Sequence, residues 1–423
     1  MKWRTLGIVG LSLLSCQPAK QPKIERFALK NGIPVIFVAL PEVPTASVGI
    51  LIKGGVAKLD TSQAGLELLT LRTVLAGSES LGYPQFEQKL ATLGIDLRVN
   101  AQNDFSIMTI HALDQYLGDA IRMAGDAFLH PQFNEKAFEK YRRQMLMAAR
   151  RREVNPDDRV WDLVNTLFYR NHPYRTRPDG TVQSLERLTL TDVQNYWKSL
   201  LKSGAFIIAV AGHYQRDSVL RWLNQTFGEI PQAPYPVPKV PPLDFRDTLV
   251  TDTLPLQTAY LAGKFPGPSF RDPEYPATLL GLSVLDDRLW DTLRTQYGLT
   301  YATGAGLSAR RANYGYLYFS SAQPQEAFQL LKRELDHILT GPILEEDLKR
   351  AKNLWQTRTF LRQESTAGLV SNLLMFEYLG FGAEQFYRLP MALDQLTPSQ
   401  VQKALRKYLH DITYGFLIPK PSN

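Results

Sequence analysis

The sequence predicts an α+β protein of two duplicated domains, each an antiparallel sheet flanked by helices. Hairpin signals mix with runs of helical spacing in both halves of the chain, and several residue patterns recur at a nearly constant distance. This mixture is typical of antiparallel sheets covered by helices, whereas a doubly wound sheet alternates strand and helix regularly. The 423 residues are enough for two domains.

A proline-rich segment is expected to divide the two domains. Residues 230–243 contain six prolines, a density that excludes helix and central strand and favours a stiff linker with polyproline II character. We therefore expect an N-terminal domain over residues 24–229 and a C-terminal domain over residues 244–423.

Residues 1–16 predict a lipoprotein signal peptide. Lys2 and Arg4 give a positive start, and the ten apolar residues that follow are too few to span a bilayer. The segment ends at Cys16, the single cysteine of the chain, in a pattern that resembles the lipidation site of bacterial lipoproteins. We expect Cys16 to carry acyl chains, residues 17–23 to form a tether, and the chain to be anchored in the bacterial cell envelope, on the periplasmic face. The alternative is an ordinary signal peptide or a fortuitous apolar start.

The first domain opens with a predicted hairpin. Asn31-Gly32 separates two apolar runs, and both residues tolerate the positive φ of a tight turn. Apolar runs predict further strands, and apolar residues at helical spacing predict helices. The strands expected are 47–52, 95–101, 105–111 and 205–211, and the helices expected are 64–75, 84–93, 113–128, 135–152 and 216–227.

The second domain repeats patterns of the first. Residues 185–189 (LERLT) recur 208 residues later as LDQLT at 393–397. Residues 133–140 (FNEKAFEK) parallel residues 343–350 (ILEEDLKR), 210 residues later. Two chance helix caps are the alternative, but the shared order and offset favour a duplication.

Composition and motif content exclude several kinds of chemistry. One cysteine excludes a disulfide framework, and no two of the six histidines stand three to five residues apart, so no helical zinc pair exists. The chain has no P-loop and no nucleophile elbow. Its charge of +7 is a mild excess, and the basic stretch 142–152 lacks the interleaved aromatics that indicate nucleic-acid binding. These observations alone favour a binding or scaffold protein.

Several motifs together resemble the pitrilysin/insulinase-like peptidases, the inverted-motif zinc enzymes that include mitochondrial processing peptidase. Residues 47–55 (SVGILIKGG) are similar to the second strand of that family, and residues 64–78 (AGLELLTLRTVLAGS) to its metal-site helix. Residues 90–113 are similar to its passage from helix to edge strand. The resemblance covers nearly all of residues 24–420 and implies the two-domain fold expected above.

The metal-site helix departs from the family pattern. The family carries His-x-x-Glu-His, two ligands and a base on one helical face. The corresponding positions here hold Leu68, Leu71 and Arg72, and Lys140 stands at the position of the third ligand, a glutamate, with Glu139 one residue away. Neither Glu67 nor Glu139 can rebuild the site, because both imidazoles are missing. We expect this chain to bind no zinc.

The second half keeps a different family motif. Residues 285–305 are similar to a segment in which an arginine and a tyrosine face the zinc ion across a closed chamber, and Arg294 and Tyr301 stand at those two positions. The resemblance implies that this pair hydrogen-bonds the carbonyl of a peptide substrate. Without the resemblance, a helix-end arginine and a core tyrosine would be the expectation.

Some members of this family work as two chains, of which one holds the zinc helix and the other holds the arginine and tyrosine. The sequence resembles the second type. The resemblance implies a non-zinc subunit that is inactive alone, binds extended peptide and completes the active site of a zinc-bearing paralogue. The alternative is a catalytically inactive peptide-binding or scaffold lipoprotein without a peptidase partner.

Overall fold

The computed structural model describes residues 22–420. Cys16, the signal peptide expected at residues 1–16 and most of the tether expected at residues 17–23 lie outside this range. Within it, the structure contains two mainly antiparallel sheets with helices packed on them, which confirms the α+β fold class. The strands of the first sheet are β1 (Ile24–Ala28), β2 (Pro34–Ala39), β3 (Thr45–Lys53), β4 (Asp96–Ala101), β5 (Phe105–Leu113) and β6 (Phe206–Gly212). The second sheet contains β7 (Thr248–Leu254), β8 (Ala259–Pro266), β9 (Thr300–Leu307), β10 (Tyr314–Ser321) and β11 (Thr413–Pro419).

Helices occupy most of the remaining chain. Those of the first half are α1 (Leu66–Val74), α2 (Gln85–Leu93), α3 (Leu117–Leu129), α4 (Glu135–Val154), α5 (Pro156–Phe168), α6 (Val182–Arg187), α7 (Leu190–Leu200) and α8 (Arg216–Asn224). Those of the second half are α9 (Tyr275–Leu289), α10 (Pro324–Thr340), α11 (Glu345–Gln363), α12 (Thr366–Tyr378), α13 (Gln385–Asp394) and α14 (Pro398–Tyr408). A π-helical turn, Trp290–Gln296, continues α9. No helix of the described residues is long and apolar enough to cross a bilayer.

The two sheets share one topology. The strand order is β1-β2-β6-β3-β5-β4 in the first and β7-β11-β8-β10-β9 in the second. Apart from β1, each strand of the first sheet has a counterpart at the same place in the second. Each sheet is antiparallel except for one parallel pair, β2 with β6 and β7 with β11. The last strand of the first half, β6, lies beside β2, and the last strand of the second half, β11, lies beside β7, the counterpart of β2. These two pairs of neighbours are the parallel ones.

The repeated sequence motifs begin equivalent helices. Thr189 caps α7 and Thr397 caps α14, and each forms a capping box with the third residue of its helix. Two backbone N–H groups that a helix start leaves unpaired are satisfied in this way. Glu135 and Glu345, the first residues of α4 and α11, likewise stand 210 positions apart.

One helix from each half packs on the sheet of the other half. Helix α5 lies on β8 and β11, while α12 lies on β3, β5 and β6. Glycines permit the close approach: a Cβ atom at Gly49 would lie 2.7 Å from Leu374 Cδ1, and one at Gly415 would lie 2.6 Å from Val164 Cγ2. This exchange joins the two halves through their cores.

The first turn and the proline-rich segment are both fixed by contacts. Of the two turn residues only Gly32 has positive φ, 83°, whereas the Asn31 side chain donates to the carbonyl oxygens of Phe227 and Ile230 at 2.8 and 2.9 Å. The proline-rich chain accepts hydrogen bonds along its length, including one from Arg311 Nη1 to Pro238 O at 2.8 Å. These hydrogen bonds hold the proline-rich segment against the protein surface.

Candidate functional site

Helix α1 places the first three candidate residues. The helix begins after Gly65, whose φ of 85° is left-handed, and apolar residues then face the core because they recur at helical spacing. Leu71 is fully buried and Leu68 is 7% exposed. Arg72, on the adjoining face, is half-buried. Two of the three positions therefore belong to the hydrophobic core.

Lys140 lies beside this helix in a polar cluster. Its Nζ donates to both carboxylate oxygens of Glu87 at 2.7 and 2.9 Å, and the hydroxyl of Tyr141 donates to Glu87 Oε1 at 2.9 Å. Burial lowers the pKa of Arg72 and raises that of Tyr141. Arg72, Glu87 and Tyr141 line one cavity of about 540 Å³ together with strand β4.

The residues at this place do not fit a zinc ion. Zinc sites use thiolate, imidazole or carboxylate ligands, whereas these four positions hold two leucines and two cations. The carboxylate of Glu139 forms an ion pair with the Arg142 guanidinium, with 2.9 Å between Oε2 and Nη2. No group of three or more His, Cys, Asp or Glu side chains in residues 22–420 could hold a metal.

Glu67 belongs to a separate buried network that sequence reasoning did not identify. Its carboxylate accepts hydrogen bonds from Ser106 and Tyr196, and Lys58 Nζ lies 3.9 Å away. These contacts balance a buried charge, which would otherwise be costly. The network ties α1 to β5 and α7, so its role is structural.

Strand β4 forms an edge of the first sheet. It pairs with β5 from Asp96↔His111 to Ala101↔Ser106 and stands last in the strand order. An edge strand presents backbone N–H and C=O groups to which an extended peptide can add. The cavity beside Arg72 lies against this strand.

Arg294 and Tyr301 lie together at the edge of the second sheet. Arg294 Nη1 donates to the backbone carbonyl of Tyr301 at 2.7 Å. The Arg294 guanidinium also lies 5.7 Å from the centre of the Tyr301 ring and 4.6 Å from that of the Trp290 ring. Tyr301 is 88% exposed, so it does not pack on the core as the alternative interpretation required.

Exposed aromatic residues surround this pair. Trp290 is 43% exposed and Tyr297 is 49% exposed. Sequence reasoning did not select Trp290, although its spacing of four residues from Arg294 on a helical segment was a usable signal. The side chain sits on the π-helical turn, a distortion frequent at functional sites.

The structure brings the candidate residues together in two groups. Leu68, Leu71, Arg72 and Lys140 lie around α1 and α4. Arg294 lies on the π-helical turn and Tyr301 on β9 of the second sheet, and no hydrogen bond or ion pair of the described residues joins them to Arg72 or Lys140. The second group presents a guanidinium beside the aromatic rings of Trp290 and Tyr301.

Two family models match successive parts of the chain. The model described as insulinase (peptidase family M16) matches residues 35–178, and the model described as the peptidase M16 inactive domain matches residues 187–354. Together these matches span well over half of the chain.

Known proteins show the same relationship over most of the length. A protein of Helicobacter pylori called non-peptidase homolog YmxG is 23% identical over 393 residues, 90% of this chain and 88% of that protein. The mitochondrial-processing peptidase subunit beta of Saccharomyces cerevisiae is 20% identical over 387 residues, 85% of this chain and 83% of that protein.

A solved structure confirms the fold. A peptidase M16 inactive domain from Pseudomonas fluorescens superimposes with a TM-score of 0.85 at 20% identity, covering 95% of this chain and 99% of that chain. The yeast relative is by its name one subunit of a larger enzyme. Relatives of this chain thus include both a non-peptidase and a component of a multi-subunit assembly.

Proposed function

Because this chain belongs to the insulinase family of peptidases, family M16, as a non-peptidase homologue without the zinc-binding motif, we propose that it is the non-zinc subunit of a two-chain peptidase. In this proposal it binds an extended peptide and contributes Arg294 and Tyr301 to the active site of a zinc-bearing paralogue.

The contact between the half-buried Arg294 and the exposed Tyr301 is the observation that carries the proposal. The pair places a guanidinium and a phenol next to each other at the edge of the second sheet. The Arg294 guanidinium donates one N–H to the Tyr301 carbonyl, and its other N–H groups can donate to a substrate. Trp290 packs against the same guanidinium and restricts its movement.

The chemistry of the pair suits recognition of a peptide carbonyl. A guanidinium donates hydrogen bonds with a permanent charge, and a phenol adds a compact donor. Donors aimed at a carbonyl oxygen stabilise the negative charge that develops when the peptide bond is attacked. In the proposed pair the zinc ion belongs to the partner, and this chain supplies substrate binding and charge stabilisation.

Reconstitution with the zinc-bearing paralogue tests the proposal. We expect the pair to hydrolyse unstructured peptides, whereas neither chain alone does so. Arg294→Ala and Tyr301→Phe should each lower kcat/KM by about 10²- to 10³-fold, the effect of removing one charge-stabilising donor. Peptidase assays on the purified pairs provide the measurement.

Arg122→Ala is the matched control, because Arg122 is an exposed helical arginine whose ion pair with Asp119 is distant in sequence from this segment. Its activity should equal that of the unmodified pair. Unchanged activity in both Arg294→Ala and Tyr301→Phe would reject the substrate-contact role. Failure of any paralogue to activate the chain would instead leave a peptide-binding or scaffold protein.

We also propose that Cys16 anchors the chain in the bacterial cell envelope, on its periplasmic face. The proposal rests on the pattern of residues 1–16. Two or three acyl chains give stable membrane attachment, since each buried methylene contributes about 0.8 kcal/mol. Cys16→Ser should move the chain from the membrane to the soluble fraction and abolish labelling with a fatty-acid probe. Continued membrane attachment of that variant would disprove the anchor.

A further inference from the structure

A second cavity lies where α5 covers the second sheet. Its volume is about 660 Å³, within the range of small-molecule sites. Helices α5 and α6, strands β8 and β10, and the loops around residues 103 and 175–181 contribute its walls. It shares no lining residue with the Arg294–Tyr301 segment, so it is a separate feature.

The lining of this cavity is strongly basic. Six cationic and two acidic side chains face it: Arg159, Arg175, Arg177, Arg187, Lys264 and Arg310 against Asp162 and Asp179. Arg177 pairs with both of these acids, and Arg159 pairs with Asp252 at 3.2 Å. Lys264 and Arg310 make no ion pair with a carboxylate within the described part of the chain.

Lys264 is the more deeply buried of these two cations. It is 2% exposed, and its Nζ donates to Asn165 Oδ1 at 2.5 Å and to the hydroxyl of Tyr169 at 3.0 Å. The rings of Tyr169 and Tyr314 lie 4.3 and 4.2 Å from the same nitrogen. Neutral oxygens and aromatic faces surround the ammonium group, and no carboxylate of the described residues pairs with it.

Arg310 approaches the same space from the loop between β9 and β10. Its Nη1 donates to Asn103 Oδ1, and its guanidinium lies 5.5 Å from the centre of the Tyr174 ring. The nearby carboxylate of Asp104 accepts hydrogen bonds from the Tyr174 hydroxyl at 2.6 Å and from the backbone N–H of Arg311 at 2.9 Å. Both bonds end on Oδ2 of Asp104, and its buried Oδ1 has no hydrogen-bond partner in the described structure. Arg310 forms no ion pair with this carboxylate, so its remaining guanidinium donors can serve a ligand in the cavity.

Burial and positive charge shift the pKa values of two side chains in this cluster. Burial lowers the pKa of Lys264 to about 8. Burial acts to raise the pKa of Tyr314, yet the adjacent Lys264 and Arg310 outweigh it, so the pKa of Tyr314 falls below its ordinary value. The two shifts have different causes: burial disfavours the charged form of Lys264, whereas the neighbouring cations favour the ionised form of Tyr314.

We propose that this cavity binds a small oxyanion-bearing molecule, with the oxyanion held between Lys264 and Arg310. Ammonium and guanidinium donors recognise both phosphate and carboxylate groups. The volume leaves room for the rest of a small metabolite beyond the oxyanion. The site is independent of the peptidase partnership.

Titration of the full chain with inorganic phosphate and, separately, with citrate tests this site by calorimetry at constant ionic strength. We expect saturable binding of at least one anion, accompanied by a rise in Tm. Tighter binding of phosphate assigns the ligand to phosphorylated molecules, and tighter binding of citrate assigns it to carboxylates. Saturable binding of neither anion by the unmodified chain overturns the proposal.

Lys264→Met and Arg310→Met separate this site from general surface binding. Each should weaken anion binding at least tenfold, while Lys264→Met should retain the fold because methionine keeps much of the buried volume. Lys53→Met is the matched control: Lys53 is a half-buried lysine whose Nζ donates to Gly204 O at 2.9 Å, and its loss should leave binding unchanged. If Lys264→Met does not fold, the anion affinity of Arg310→Met tests the proposal by itself. Undiminished affinity in the folded variants overturns the proposal.

Discussion

The side chain of Trp290 lies against the Arg294 guanidinium and limits the orientations that the arginine can adopt. The indole ring lies 4.6 Å from the Arg294 guanidinium, and a contact of this kind contributes about 0.5–1 kcal/mol at an exposed site. Its main effect is to restrict the arginine to the orientation in which it also donates to the Tyr301 carbonyl. In the proposed peptidase pair we therefore expect Trp290 to be a positioning residue rather than a catalytic one.

Trp290→Ala should therefore weaken the proposed peptidase pair less than loss of the arginine itself. We expect a decrease of about three- to tenfold, mainly as a higher KM, because the guanidinium remains but is less ordered. Steady-state kinetics on the reconstituted pair measure this, and Trp290→Phe should restore most of the activity by replacing the aromatic face. A decrease as large as that of Arg294→Ala would contradict the positioning role.

At the scale of the element, the exchanged helices α5 and α12 depend on glycine at the sheet surface. Helix α12 packs closely on strand β3 because Gly49 has no side chain. A Cβ atom at this position would lie 3.2 Å from Val370 and 2.7 Å from Leu374. Packed interiors tolerate extra atoms poorly, because neighbours must leave their preferred rotamers.

Gly49→Ala should consequently lower the free energy of unfolding by about 1–3 kcal/mol. Denaturant unfolding followed by circular dichroism measures the change. Gly304→Ala is the matched control, since Gly304 also lies in a strand but its nearest neighbour to a Cβ is Asp286 Oδ1 at 3.9 Å. The double variant with Leu374→Ala should lose less than the sum of the two single effects. Additive losses would show that the contact does not determine the packing.

At the scale of the whole molecule, ion pairs supplement the exchanged helices. Arg26 on β1 forms a bidentate pair with Glu377 at 2.9 and 2.8 Å and reaches Glu384 at 3.1 and 3.0 Å. Hydrogen bonds from Arg26 lower the pKa of Glu384. A carboxylate whose folded pKa is depressed stabilises the protein above its unfolded pKa, and this contribution is lost as the pH falls through the folded value.

Arg26→Ala should therefore destabilise the chain at neutral pH by about 1 kcal/mol, the scale of a partly exposed ion pair. The difference from the unmodified chain should shrink as the pH falls below about 4.3, the ordinary pKa of glutamate. Urea unfolding at a series of pH values measures it. Arg246→Ala, which removes an exposed local pair with Asp244, should change stability little at any pH. A pH-independent effect of Arg26→Ala would rule out this interpretation.

The sequence alone was sufficient for the fold class, the duplication and the absence of the metal motif. Hydrophobic periodicity, capping residues such as Thr189 and Thr397, and the pattern around Leu68, Leu71 and Arg72 are properties of neighbouring residues, so they can be recognised without a structure. The pair Arg294 and Tyr301 was selected only through the resemblance of residues 285–305 to a segment of the family. Helix α5 was not predicted, since its polar N-terminal half hides the apolar face formed by Val160, Val164 and Phe168.

Only the tertiary structure showed what distant segments form together. It placed α5 and α12 on each other's sheets, exposed Tyr301 beside Trp290, and brought Lys264, Arg310 and Tyr314 to one cavity with Tyr169 from the other half. Burial, charge pairing and pKa depend on neighbours that are far apart in sequence, and no local pattern records them. The resemblance of motifs therefore identified the family, whereas the unpaired buried cations became visible only in the folded chain.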